Sequence, residues 1–372
     1  MKPLSVIKYF INNQKKFLSV FMAVSLSVFL IYTLQMVISS TSDSVHASYT
    51  EPKKYLSAVY SRNELLDSGL VEQFTINKDV ERVIPCFTYS LSLNLNIGGG
   101  NATPLYVTKS DDTEFLMKKM NLKLVEGNLP APNSMGIVIH RYVAANRGLE
   151  VGDVLLSTSD NIDYLPCSFV VDGIIDGKPV VSFANLNSDQ AASYGLMIVP
   201  KDGSLKSLNR YLDSFPPSNM YTISTYDSVK KSIEGSINNT FMLTTIMSIL
   251  ILLIVSSCVG FLSYIYFYHR RYELGLLNAM GYSMQQIMSR AFREIFLLNI
   301  SGYISGILLS FITGFFLNIL LFIPRGQPLY LFGFSYAVQA SSVPIFAVLF
   351  SIIPVWRMLK KLDPISIIEG SA

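Results

Sequence analysis

The side chains able to do covalent or acid–base chemistry are few and scattered. Three histidines, His46, His140 and His269, and three cysteines, Cys86, Cys167 and Cys258, stand far apart in a chain of 372 residues. Zinc sites and histidine-based triads leave recognisable local spacings, and none is present. No serine sits in a nucleophile elbow. Gly98–Asn101 is a glycine-rich turn with no Lys-Ser/Thr after it, and Gly177-Lys178 runs straight into Pro179. Neither can cradle a phosphate. An enzymatic reading therefore has no residues to stand on. A Cys86–Cys167 disulfide is left open, but a domain large enough to build its own core does not require one, and two unpaired thiols are the simpler reading. Cys258 reads as a small packing residue.

One segment is organised differently. It runs His269-Arg270-Arg271-Tyr272-Glu273-Leu274-Gly275-Leu276-Leu277-Asn278-Ala279-Met280-Gly281. Leu274, Leu277 and Met280 fall on one side of a helix with Leu276 nearby, and Gly281 ends the run as a C-cap would. A short amphipathic helix with basic entry residues either lies on a lipid surface or docks a partner. Its own residues leave that choice open.

The elements that position this segment follow from the distribution of charge. Half the residues are hydrophobic, only 15% are charged, and the mean hydropathy is +0.39. A soluble domain carries about a quarter charged residues. The deficit is concentrated in 17–38, 241–268, 295–323 and 334–356, none of which contains Asp, Glu, Lys or Arg. A helix needs roughly 20 apolar residues to cross the hydrocarbon, so four transmembrane helices are predicted. The first is too long for the apolar core of a signal peptide. The fourth is interrupted by Gln339, Ser341, Ser342, Pro344 and Pro354, which neighbouring helices can tolerate. No central acid or base marks a polar route through the spans.

Lysines and arginines in the short flanks set the orientation. Lys2, Lys8, Lys15 and Lys16 precede the first span, and Arg270, Arg271, Arg290 and Arg293 lie in the loop 269–293. Arg357, Lys360 and Lys361 lie in the tail 357–372, whereas the loop 324–333 carries only Arg325. Both termini are therefore expected in the cytoplasm, with 39–240 outside. Trp356 beside Arg357 fits an interfacial anchor. The region 39–240 holds 17 basic and 22 acidic residues, the composition of a soluble domain. A net charge of +3 for the chain gives no electrostatic footprint for nucleic acid.

This large region reads as mixed α/β. Strands are predicted at 55–60, 82–95, 104–107, 136–139, 154–157, 168–175, 196–199 and 220–223, and helices at 63–74, 112–120, 141–147, 205–215 and 226–238. Tyr226, Val229, Ile233 and Ile237 form an apolar stripe that runs without proline into the second span. One long stalk helix is expected there, with Gly235 its weak point. The fold class is thus a membrane protein of four transmembrane α-helices, with a large mixed α/β extracytoplasmic domain inserted between helices 1 and 2. Its parts are an amphipathic helix at 1–16 (Leu4, Val6, Ile7, Phe10 and Ile11 on its apolar side), spans at 17–38, 241–268, 294–323 and 334–356, the domain at 39–240, the cytoplasmic loop at 269–293, the short external loop at 324–333 and the tail at 357–372.

The pattern Arg-x-x-Glu-Leu-Gly-Leu-Leu-x-Ala-Met-Gly resembles the cytoplasmic signature of FtsX-like ABC transporter permeases, the mechanotransmission (type VII) group that includes MacB and the lipoprotein-releasing systems. Further similarities are Leu124–Pro130, Gly136–Ile139, Val151-Gly152-Asp153 and Phe169–Ile174, in the order found in MacB-type external domains, and the tail Leu362–Ile368. Asn128 stands where that family usually has Arg, and Asn278 at a position often basic.

The resemblance implies that Arg270, Arg271, Glu273, Leu274, Gly275, Leu276, Leu277, Ala279 and Gly281 form a coupling helix against a separate, dimeric ABC ATPase subunit. ATP and magnesium would be held by that partner, with no cofactor, metal or catalytic residue in this chain. It implies a second permease copy or a related permease, with close helix approach at Gly302 and Gly306. It also implies a location in the cell membrane and an amphipathic elbow helix before the first span. Two functions follow: efflux or extrusion of peptides, antibiotics or lipoproteins, favoured by the size of the external domain, and transmembrane activation of a cell-wall hydrolase.

Overall fold

The computed structural model describes residue 10 and residues 14–62, 65–94, 101–132, 134–155, 163, 165–185, 194–216 and 218–360. The amphipathic segment's Leu4, Val6, Ile7 and Ile11, the turn at 98–100 and the tail from Lys361 lie outside the described residues. The chain forms two compact units, one of residues 1–39, 240–317 and 330–372, the other of 40–239 and 318–329. Helix α1 (Gln14–Val45) leads into the inserted domain, whose helices are α2 (Ser68–Ile76), α3 (Ser110–Lys119), α4 (Arg141–Arg147) and α5 (Leu205–Asp213). Helix α6 (Tyr226–His269) leaves it, followed by α7 (Arg271–Ala279), α8 (Met284–Leu317), α9 (Phe334–Ala340) and α10 (Ser342–Lys360).

Among the described residues, four helical stretches are long and apolar enough to cross a membrane: Phe17–Thr50, Tyr226–His269, Met284–Arg325 and Phe334–Lys360. Helix α6 is unbroken over its 44 residues. In its first turns Tyr226, Val229, Ile233 and Ile237 are half-buried while most residues between them are exposed. The fourth span is two helices that meet at Ser341, with Pro344 in the first turn of α10 and Pro354 inside it. Pro354 has no N–H to offer the carbonyl of Phe350. Gly260 of α6 lies against that carbonyl, and a Cβ there would fall 2.9 Å from its oxygen.

Helix α8 approaches α1 along its glycines. A Cβ at Gly302 would stand 2.9 Å from the Val24 side chain, and one at Gly306 would stand 2.6 Å from the Ser25 carbonyl oxygen. Ser310, one turn on, donates to the carbonyls of Phe29 and Gly306 at 3.2 and 2.9 Å. Small residues that let backbones approach are the usual means of packing helices in lipid, where apolar side chains gain little by leaving the tails.

The inserted domain is built from two sheets. The first has the order β11 (Tyr221–Ser224), β1 (Ser57–Ser61), β10 (Gly195–Pro200), β2 (Val80–Pro85), all antiparallel. The second runs β3 (Phe87–Leu93), β4 (Asn101–Thr108), β9 (Ser182–Asn185), β6 (Gly136–His140), β8 (Phe169–Asp176), β5 (Lys123–Gly127), with β7 (Val154–Leu155) paired to β8. In it β4–β9 and β6–β8 are parallel and the other pairs antiparallel.

Successive side chains in a strand point to opposite faces, and here both faces are covered. Ala58, Met197 and Val199 of the first sheet meet Tyr106, Val138 and Phe183 of the second in one core, with Leu116 and Met117 of α3. Their neighbours Val59, Leu196 and Ile198 pack under α2 and α5. Leu105, Val107, Ile137 and Ile139 pack beneath α4. Double burial explains why the central strands read as continuous apolar runs.

Three sequence expectations are corrected. The run at 82–95 is not one strand but two in different sheets: Ile84 pairs with Met197, and Phe87 with Val107. The switch falls at Cys86, whose N–H donates to the Gly195 carbonyl. Strands β5 and β9 were not expected. β5 is an exposed edge and β9 has only four residues, so neither shows a periodic pattern. Finally, the end of the third predicted span and the first half of the loop after it group with the inserted domain. Residues 318–329 belong to that unit, and Asn146 Nδ2 donates to the Arg325 carbonyl at 2.8 Å. Gly326, at φ +67°, lies so close to the Tyr142 carbonyl that a Cβ would fall 2.4 Å from its oxygen. Cys86 and Cys167 are both free thiols.

Candidate functional site

The segment singled out in the sequence folds as α7, set between α6 and α8. Its C-terminus closes in the geometry of a Schellman motif: Gly281, at φ +91°, donates to the Asn278 carbonyl, and Tyr282 to that of Leu277. The chain then starts α8 with a reciprocal cap. Gln286 N–H donates to Ser283 Oγ at 3.3 Å, and Ser283 N–H to Gln286 Oε1 at 3.0 Å. This capping box satisfies two otherwise free donors, and Ser283-x-x-Gln286 is a signal that the sequence reading did not use. Two well-determined ends separated by one residue fix how α7 is presented.

Below α7 lies a cluster of buried charge. Arg270 is 2% exposed, Glu294 1% and Arg290 6%. Arg270 Nη1 donates to Glu294 Oε2 and, at 2.7 Å, to the Tyr266 hydroxyl. Tyr266 in turn donates to Glu294 at 3.3 Å. Arg290 Nε donates to the other Glu294 oxygen at 3.1 Å, one helical turn away. The Arg270 guanidinium also lies over the Tyr266 and Phe267 rings, at 5.1 and 5.9 Å from their centroids. Its Nε reaches Glu273 at 3.1 Å, whose side chain is 47% exposed. Arginine suits this place because its planar fork serves several acceptors and a ring face together.

The nine residues that the signature brings together therefore divide. Arg270, Leu274, Gly275 and Leu277 face inward, the two leucines packing with Ile287, Ala291 and Ile295 of α8 and with Val355 and Leu359 of α10. They position the helix and cannot touch a partner on its free side. Glu273, Leu276, Ala279 and Gly281 are exposed, and Arg271 is half-buried with its guanidinium stacked 4.5 Å above the Tyr268 ring.

Met280 departs from its expected side. It lies beyond the last α-helical residue and turns outward, 59% exposed, in line with Leu276 at 49% and Tyr272 at 60%. Residues four apart are neighbours on a helix face, so Tyr272, Leu276 and Met280 form one apolar stripe edged by Arg271 and Glu273. A stripe of this kind on a short, firmly seated helix can meet either a lipid surface or a partner. Gly302 and Gly306, the other predicted positions, lie elsewhere, against α1. Among the described residues no three His, Cys, Asp or Glu side chains come together as a metal site.

Four helices fit to cross a membrane, with an α/β domain inserted between the first and second, define a multi-span membrane protein with one large inserted domain. Residues 245–362, from within α6 through α10, match the FtsX-like permease C-terminal family. No curated protein matches. Among solved structures, the periplasmic region of MacB from Actinobacillus actinomycetemcomitans is similar at 15% identity, covering 51% of this chain and 95% of that one, with a TM-score of 0.29. A domain of a putative permease protein from Porphyromonas gingivalis has 12% identity, covers 47% and 92%, and has a TM-score of 0.27. The extracellular domain of the noncanonic ABC-type transporter YknZ from Gram-positive bacteria has 11% identity, covers 46% and 99%, and has a TM-score of 0.26. At such scores the likeness defines neither fold nor function.

Proposed function

We propose that this chain is the permease subunit of an ABC transporter and couples ATP hydrolysis in a separate ATPase subunit to movements of the inserted domain, for the extrusion of peptides, antibiotics or lipoproteins. The observation that carries the reading is the exposed Tyr272–Leu276–Met280 stripe on a helix anchored from below by Arg270, Leu274 and Leu277. A partner that pushes on α7 moves a rigid object, because buried ion pairs and packed leucines transmit displacement rather than absorb it. Helix α6 supplies a continuous lever of 44 residues from the inserted domain to α7. On this reading α7 and both termini are cytoplasmic, ATP and magnesium belong to the ATPase dimer, and the permease works with a second copy or a related permease.

The test is reconstitution of the full chain in nanodiscs with the ATPase encoded beside it. The expected result is a stable complex whose ATP hydrolysis changes when the permease is present and when Leu276 is replaced by Glu. Failure of the two proteins to associate overturns the reading. Hydrolysis that responds to an added cell-wall hydrolase and not to peptides would instead identify the transmembrane regulator.

A further inference from the structure

We propose that the inserted domain contains a binding site for a carboxylate carried on an apolar or aromatic body, with Lys53 as its anion-binding group. The site is a cavity of about 560 Å³ walled by Tyr49, Tyr60, Phe87, Tyr89, Tyr106 and Tyr194, with Lys53 on its lining. That volume lies within the range of small-molecule sites. The reading draws on this domain alone and does not depend on ATPase coupling.

Lys53 is the feature that the fold does not explain. It is 6% exposed, in the short 3-10 turn Pro52–Lys54 between α1 and β1. The nearest acid along the chain, Glu51, is engaged by two other lysines, Lys54 at 2.7 Å and Lys178 at 3.3 Å. The contacts of Lys53 are the Tyr60 hydroxyl, to which Nζ donates at 3.4 Å, and the Tyr60 ring, 5.5 Å from Nζ to its centroid. Among the described residues no carboxylate pairs with it. A buried ammonium without an anion is costly, and burial lowers its pKa to about 8, so at neutral pH it still carries its charge. A side chain that costs stability yet faces a cavity is what a binding site requires.

The walls define the ligand. The cavity holds one cation and no arginine fork, which suits a monoanion and leaves a phosphate dianion half-compensated. Aromatic rings supply apolar faces for the body of the ligand; Phe87 and Tyr194 stand 5.4 Å apart between centroids. Cys86, also on the lining, is no nucleophile, because burial pushes its thiol up to about 12. The site therefore binds and does not react.

The experiment titrates the full chain in nanodiscs, without ATPase, by calorimetry. The probes are N-acetyl-Phe-Leu as the free acid, the same peptide as its C-terminal amide, and 4-phenylbutyrate. The free acid is expected to bind at least tenfold more tightly than the amide. Lys53→Met should abolish that preference while raising the apparent Tm, since it removes an unpaired buried charge. Tyr194→Ala, at the exposed rim, should weaken acid and amide together. Preference for the acid peptide alone assigns the carboxylate to a peptide C-terminus; equal binding of 4-phenylbutyrate assigns it to an organic acid. Equal affinity for acid and amide, no binding of either, or a preference that survives in Lys53→Met overturns the proposal, and the first two need no variant to fold.

Discussion

Arg270 and Glu294 form a buried ion pair that ties the entrance of α7 to the body of α8, with the Tyr266 hydroxyl bonded to both. Glu294 is also the acceptor for Arg290, so one carboxylate answers two buried guanidinium groups. Removing one member of a buried pair costs about 3–5 kcal/mol, because the other charge is stranded. Glu294→Gln should therefore lower the apparent Tm of the full chain in detergent by several degrees. Arg270→Gln combined with Glu294→Gln should cost less than the sum of the two single changes. Additive losses would show that the pair is not an energetic unit.

Leu276 and Leu274 are two residues apart on α7 and face opposite ways, one 49% exposed and the other 2%. Leu276→Glu should leave the apparent Tm within a degree or two of the native chain while weakening association with the ATPase subunit at least tenfold. Leu274→Glu places a charge in the core of α7, α8 and α10 and should fail in thermal stability before any coupling assay is read. If Leu276→Glu binds the ATPase normally, the exposed stripe is not the docking face.

The spans, the inserted domain and the position of α7 were legible because each depends on local pattern: uninterrupted apolar runs, charge in the flanks, a glycine after a leucine-rich helix. What was hidden depends on partners distant in sequence. The run at 82–95 reads as one strand because no charge or glycine interrupts it after Arg82, and only the pairing of Ile84 with Met197 and Phe87 with Val107 reveals the switch. The inward turn of Arg270 was equally invisible. A basic residue at the end of an apolar span reads as a cytoplasmic flank, and its acceptor lies 24 positions away. Lys53 could not have been singled out at all, since Glu51 and Lys54 on either side make it look like one of an ordinary surface charge group.

Glycines at 235 and 306 both lie inside helices, and their surroundings predict opposite outcomes for the same change. Nothing lies within 4 Å of a Cβ placed at Gly235, whereas one at Gly306 would stand 2.6 Å from the Ser25 carbonyl oxygen. Gly235→Ala should stabilise the chain by about 0.5–1 kcal/mol through helix propensity and the lost freedom of the unfolded chain. Gly306→Ala forces α1 and α8 apart and should cost about 1–3 kcal/mol by overpacking. Both are read as shifts in apparent Tm. Equal responses would show that Gly306 has no packing role.

His140 makes the inserted domain acid-sensitive. It is fully buried at the N-cap of α4, where Nδ1 accepts from the Tyr142 N–H and Nε2 donates to the Gly177 carbonyl, both at 3.1 Å. Burial lowers its pKa from 6.5 to about 4, against the opposing pull of the Gly177 carbonyl and of Asp176, and with Arg141 adding to the depression. The neutral ring is thus the folded form. Above pH 6.5 neither folded nor unfolded chain binds the proton, and the full stability is present. Between pH 6.5 and 4 the unfolded chain takes up a proton that the folded domain refuses, so stability falls as pH falls. Below 4 both states are protonated and the loss levels off. At about 1.36 kcal/mol per pH unit of displacement, the whole loss is about 3 kcal/mol. His140→Asn keeps a side chain able to cap α4 but cannot titrate. Hydrogen exchange of the β6 and α4 amides in the full chain, followed from pH 7 to pH 4 and corrected for intrinsic rates, should show protection declining across that window in the native chain and declining less in His140→Asn. Parallel curves for the two would place the acid sensitivity in the domain's carboxylates instead.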